Sequence, residues 1–140
     1  MAHIRRKARI AALKALFECD SSGHDPEAAL TWLAGEEEEE LPETALSYAQ
    51  ELVRGVLENK SRIDLLIQSH APTWPVEQLA AVDRNILRLA IYEILMDNRV
   101  PLKAAINEAV ELAKIFGSYS SSSFVNGVLG SISRARVNSP

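Results

Sequence analysis

The chain has 140 residues, 47% of them apolar and 24% charged, the balance of a folded domain rather than a disordered segment. Its formal net charge is −4, and no apolar run approaches the roughly 20 residues that span a bilayer, which excludes a membrane anchor of that kind. A single cysteine, Cys19, excludes an internal disulfide and fits a reducing cytoplasm.

The charge is uneven. Arg5, Arg6, Lys7, Arg9 and Lys14 give residues 1–14 a charge of +5 with no acid among them, so the net −4 leaves −9 for the remainder. A uniformly acidic protein has little business with nucleic acid. A protein that is acidic everywhere except at one end can bind RNA at that end. Lys14 and Glu18 interrupt the apolar residues of the N-terminus, so no signal peptide is read.

The first predicted helix runs from Arg5 to about Asp20. Ala8, Ala11, Ala12, Ala15, Leu16 and Cys19 form a narrow stripe of small residues suited to close packing, and Cys19 reads as a core thiol. Ile10, Leu13 and Phe17 form a second stripe on another face. A helix with two apolar faces is either buried or keeps one face for a ligand. The basic residues at its start oppose the helix macrodipole, and arginine forks suit phosphate.

Ser21 to Asp25 reads as a turn. Asp25-Pro26-Glu27 is a helix start, with an N-cap residue, a first-turn proline and an acid. That helix is predicted to reach about Ala34, where Gly35 stops it, and Glu36 to Glu40 reads as a solvated acidic loop. Pro42 opens the longest helix, to about His70, with its stripe on Leu46, Ala49, Leu52, Val53, Val56, Leu57, Ile63, Leu66 and Ile67. Gly55 in this stripe allows a close approach of the alanine-rich first helix. A kink is expected over Asn59 to Ser61.

Ala71-Pro72-Thr73-Trp74-Pro75 breaks the chain into halves, 1–71 and 72–140, within a single domain. Trp74 reads as a packing plug over that joint. A short helix is predicted from Val76 to Ala81. The next starts near Asp83 and runs through Leu95, apolar almost all round, as suits the central helix of its half. Arg88 lies in its middle, and a buried guanidinium needs partners. Glu108 or Glu111 is the expected partner.

Val100-Pro101 opens the following helix. Leu102, Ala105, Ile106, Ala109, Leu112, Ala113 and Phe116 form its stripe, and Lys103, Glu108, Glu111 and Lys114 lie off it. Gly117 is expected to end it with a left-handed cap. Ser118 to Ser123 supplies hydroxyls for the free N–H groups of a last helix carrying Phe124, Val125, Val128, Leu129 and Ile132.

No motif for catalysis or a cofactor stands out. His3, His24 and His70 are scattered and do not pair with Cys19 at metal-ligand spacing. There is no phosphate loop, no dinucleotide fingerprint and no nucleophile elbow. The Ser120 to Ser123 run reads as cap and turn chemistry. These readings describe a binding protein that uses no cofactor, not an enzyme.

P-L-K-A-A-I-N-E-A-V-E-L-A-K-I-F-G followed by F-V-N-G-V-L (Pro101 to Gly117, Phe124 to Leu129) resembles the C-terminal signature of the NusB family of bacterial transcription antitermination factors. The match extends through VDRNILRLAIYEI (Val82 to Ile94) and RRKAR (Arg5 to Arg9). The resemblance implies an all-α fold of about seven helices in two stacked subdomains. It implies binding of the boxA element of nascent ribosomal RNA together with NusE, a protein that also serves in the small ribosomal subunit. It further implies assembly with RNA polymerase and other Nus factors in the cytoplasm, with no membrane partner. The family's RNA-contacting arginine motif falls on Arg5, Arg6 and Arg9, with Lys7 between them. Its first-helix aromatic, a tyrosine in well-studied relatives, falls on Phe17, which lacks the hydroxyl. Its last-helix aromatic falls on Phe124, which reads equally as a core residue. The acidic position implicated in NusE binding falls on Asp83.

Two other readings stand beside this one. NusB-like domains also occur as accessory domains of RNA methyltransferases, against which the expectation is that a chain ending at Pro140 carries no cofactor-binding domain. The other is a self-associating interaction domain, a homodimer that hides its RNA face.

Overall fold

Helical periodicity in the sequence becomes helices among the described residues. The computed structural model describes residues 2–23, 25, 28–29, 41–73, 75–97 and 99–137. Among them are five α-helices: α1 (Ala2–Ser22), α2 (Glu43–His70), α3 (Ala81–Ile91), α4 (Leu102–Phe116) and α5 (Ser121–Val137). A 3₁₀ turn covers Val76–Gln78, and a π-helical segment, Tyr92–Asp97, continues α3. No strand occurs among the described residues. The expected plug Trp74, the segment from Leu30 through the acidic run Glu36 to Glu40, and His24 lie outside the described residues.

The chain divides into two compact units, Met1–Glu58 and Asn59–Pro140. The division lies within α2, ahead of the sequence break at Pro72. The α2 helix is continuous in its helical assignment through Asn59 to Ser61.

In the first unit, the alanine stripe of α1 is buried: Ala8, Ala11, Ala12, Ala15 and Leu16 are inside, and Cys19 is half-buried. Small side chains let a helix sit close to its neighbours, so this face is the packing face. The helix closes at Gly23, which holds a left-handed φ of 77° and donates its N–H to the Cys19 carbonyl at 2.8 Å. Asp25 then forms a cap: its Oδ2 accepts the Ala28 N–H at 3.1 Å, and its carbonyl accepts the Ala29 N–H at 3.0 Å. On α2, Ala45, Ala49, Leu52, Val53 and Val56 are buried in the same unit.

In the second unit, α3 is the central helix. Seven consecutive residues, Asn85 to Ile91, are buried. It packs against both α4 and α5, which also pack extensively on each other. Arg88, 6% exposed, is satisfied in this core by Asp64 from α2 and by Asn85. Asp64 is thus an ion-pair partner of Arg88, a residue that sequence proximity does not suggest, while Glu111 pairs with Lys114 at 3.3 Å. The entry to α3 is pinned twice. Gln68 Oε1 accepts the Val76 N–H at 3.1 Å, and Arg84 Nη1 donates to the carbonyls of Glu77 and Leu79 at 3.0 and 2.7 Å.

The α4–α5 corner departs from expectation in one respect. Gly117 is extended, with φ −90° and ψ −174°, not left-handed. Its requirement is steric: a Cβ there would overlap the Ser121 side chain and stand 2.7 Å from the Ala113 carbonyl oxygen. The serine hydroxyls serve the turn itself. Ser121, buried, accepts the Ser118 N–H on Oγ at 2.8 Å, and Ser123 Oγ donates to the Ser120 carbonyl at 3.1 Å.

Candidate functional site

The first turns of α1 carry the basic cluster. Arg6 is exposed, Arg5 and Lys7 are half-buried, and Lys14 is exposed further along. The first acid in the chain is Glu18, so no carboxylate on this part of the helix offsets the cations. The guanidinium of Arg5 lies over the ring of Tyr48, 5.9 Å from its centroid, at the outer limit of a cation–π contact. That contact biases the direction in which Arg5 projects.

Arg9 differs from its neighbours. It is 5% exposed, because it precedes Ala12 by three residues and Leu13 by four and so falls between the two apolar stripes. The second stripe behaves as a graded face. Leu13 is buried, Ile10 is half-buried and Phe17 is 38% exposed. The face therefore runs from core to solvent and ends on an open aromatic.

Phe124 and Asp83 belong to the second unit. Phe124 stands in the first turn of α5, half-buried, and its N–H reaches the Ser120 carbonyl at 3.1 Å. Asp83 is in the first turn of α3, where a carboxylate is favoured by the helix dipole. Its Oδ1 is buried without a hydrogen-bond partner, an unusual state for a carboxylate oxygen. Arg5, Arg6, Lys7, Arg9 and Phe17 are thus gathered on one helix, and Phe124 and Asp83 on separate elements of the second unit.

Two aromatics escape a reading of the sequence. Tyr48 carries no motif, and its only signal is a position beside the apolar stripe of α2. Tyr119 is masked by the surrounding serines. No group of three or more His, Cys, Asp or Glu suited to a metal ion occurs among the described residues. His70 is engaged with Ser131, Nδ1 to Oγ at 2.7 Å. No described helix is long and apolar enough to cross a membrane.

A family model described as the NusB family matches residues 6–134, which takes in Arg6, Lys7 and Arg9 of α1 and the FVNGVL segment of α5. The chain belongs to the NusB family. It is 50% identical to the transcription antitermination protein NusB of Dehalococcoides mccartyi (strain CBDB1), over 94% of this chain and 90% of that protein. Among solved structures of NusB, that of T. maritima superposes with a TM-score of 0.84 at 39% identity, covering 93% of this chain and 90% of that one. A crystal structure of the antitermination factors NusB and NusE in complex with dsRNA superposes with a TM-score of 0.87 at 28% identity, covering 96% of this chain and 99% of that one. The all-helical fold expected from the sequence is the fold of these NusB structures.

Proposed function

We propose that this chain is a transcription antitermination factor. It binds the boxA element of nascent ribosomal RNA together with NusE, joins other Nus factors on RNA polymerase and promotes reading through terminators. The observation that carries this reading is 50% identity to an antitermination protein over 94% of the chain. A relative solved with NusE and dsRNA supports the choice of partners.

The chemistry follows from the site. Arg5, Arg6 and Lys7 neutralise phosphates and release counterions, a sequence-independent contribution that weakens with salt. Arg9, being buried, belongs to the same motif but acts from within the helix face. Phe17 and Phe124 offer ring faces to bases. Asp83, half-buried in the first turn of α3, takes the NusE contact. The protein is a binding adaptor that makes and breaks no covalent bond and needs no cofactor, and it works in the cytoplasm, where bacterial transcripts emerge. Residues 1–140 act as one RNA-binding domain with the seven-helix, two-subdomain plan of its family. The Asp25 cap supports a further helix between α1 and α2. Similarity to a stand-alone antitermination protein along 90% of that protein's length does not favour a methyltransferase accessory domain.

Transcription in vitro tests the reading. On a template with boxA ahead of a terminator, adding this protein with NusE and the other Nus factors should raise read-through. The increase should vanish when boxA is scrambled. Equal read-through on both templates would remove the antitermination assignment.

A further inference from the structure

The α3 helix starts without a cap of its own. Its N-cap residue, Ala80, makes no side-chain hydrogen bond to the helix, where a Ser, Thr, Asp or Asn would hold one of the first N–H groups. The lead-in is a single 3₁₀ turn, Val76–Gln78, followed by Leu79 and Ala80. Its backbone bonds are Gln78 N–H to the Pro75 carbonyl at 2.9 Å and Leu79 N–H to the Val76 carbonyl at 3.1 Å. So short a piece of 3₁₀ helix, with its poorer hydrogen-bond geometry, does not fix the entry by itself.

Side chains hold it from both ends. On the α2 side, Gln68 Oε1 accepts the Val76 N–H at 3.1 Å. On the α3 side, Arg84 reaches back along the chain, and its Nη1 donates to the Glu77 and Leu79 carbonyls at 3.0 and 2.7 Å. A guanidinium Nη carries two N–H donors, which these two carbonyls match. The helix behind is tied as well. Asn85 Nδ2 donates to the Ala81 carbonyl at 2.8 Å, and Asn85 Oδ1 accepts from Arg88, which Asp64 grips.

Asp83 lies between these attachments. It is half-buried in the first turn of α3, next to Arg84 in the chain. Its Oδ1 has no hydrogen-bond partner, so that oxygen is placed by the helix backbone and not by a bond of its own. Whatever fixes the first turn therefore fixes the carboxylate. A segment ordered before binding loses less entropy when a partner covers it.

We propose that Arg84 is a positioning residue for NusE binding: by holding the Glu77 and Leu79 carbonyls it sets the first turn of α3, and with it Asp83, before the partner arrives. Gln68 does the same from the far side of the lead-in. The proposal rests on the reading of Asp83 as a NusE contact given above and adds the device that presents it. Arg84 acts through Asp83, with its Nη1 engaged inside the chain. Loss of global stability alone leaves affinity unchanged while the protein stays folded, so affinity reads the placement of the turn.

The test is a double-mutant cycle read by calorimetric titration of NusE into the full-length protein, with urea denaturation to confirm that each variant is folded. Arg84→Met should weaken NusE binding roughly 2- to 12-fold, the ordering cost that the clamp removes. Arg84→Lys keeps a cationic donor for the carbonyls and should bind more tightly than Arg84→Met. In an Asp83→Ala background Arg84→Met should have no further effect, because no carboxylate is left to place. Gln68→Ala releases the same segment without touching Arg84 and should also weaken binding; it decides the question if Arg84→Met does not fold. Losses that add in the cycle would make Arg84 a direct contact and overturn the inference. Wild-type affinity in Arg84→Met, beside a weakened Asp83→Ala, would overturn it while leaving the role of Asp83 intact. If Asp83→Ala itself binds NusE as wild type does, the inference falls together with that reading.

Discussion

Arg88 grips both carboxylate oxygens of Asp64, Nε to Oδ1 at 2.9 Å and Nη2 to Oδ2 at 3.0 Å. The fork leaves Nη1 for Asn85 Oδ1 at 3.1 Å. This bidentate pair ties the C-terminal part of α2 to the central helix of the second unit. The two ends differ in exposure, 7% for the Arg88 side chain and 26% for Asp64. Removing Asp64 takes the bidentate carboxylate from a buried cation, so Asp64→Ala should cost about 3 kcal/mol, the low end for a broken buried pair. Arg88→Met leaves a carboxylate that water already reaches, and should cost less. Urea denaturation of the two variants checks the order. A larger loss for Arg88→Met would contradict the account.

The α4–α5 corner gives a paired glycine prediction. Gly117→Ala forces a Cβ into Ser121 and the Ala113 carbonyl, and should destabilise by about 1–3 kcal/mol, as overpacking does. Gly127 lies within α5, and a Cβ added there meets no atom within 4 Å. Gly127→Ala should therefore stabilise by about 0.5–1 kcal/mol. Thermal unfolding of both variants, with opposite signs of the change in Tm, is the expected result.

These two corners mark how far the sequence can be read. The stripes on α1, α2 and α4 are legible because a buried helix face repeats every three to four residues. The stop at Gly117 is legible too, but its reason is not: the close approach of Ser121 depends on how the chain turns. Asp64 cannot be matched to Arg88 by spacing, because the two are joined only through packing of separate helices. The π-helical turn at Tyr92–Asp97, which replaces the end of an α-helix expected through Leu95, leaves no mark in an apolar pattern. In the candidate site, the gathering of Arg5, Arg6, Lys7 and Phe17 on one helix is plain from the sequence. The burial of Arg9 is hidden there, because its charge outweighs its position between two apolar stripes.

That burial predicts different outcomes for substitutions of Arg6 and Arg9. Arg6→Ala should weaken RNA binding and lower the salt slope by about 0.7, the value for one phosphate contact on a single strand, with stability unchanged within about 0.5 kcal/mol. From sequence alone, Arg9→Ala is expected to spare the fold. At 5% exposure it should instead lower stability by more than about 1 kcal/mol. Salt-dependent titration and urea denaturation of both variants check this. An Arg9→Ala protein as stable as wild type would show that its burial is incidental.

Asp83 makes the opposite prediction, a change in partner binding without a change in fold. Its Oδ1 has no hydrogen bond to lose, so Asp83→Asn should alter stability by no more than about 1 kcal/mol, the contribution of a first-turn acid. Affinity for NusE should fall. Calorimetric titration with NusE that gives the wild-type affinity for Asp83→Asn would take this residue out of the partner surface.

The most direct measurement of the central claim is binding of a labelled boxA RNA to this protein, with and without NusE, beside a scrambled RNA of equal length. The account predicts weak binding by the protein alone, strengthened by NusE and selective for boxA. Binding that is unselective in both conditions would contradict it.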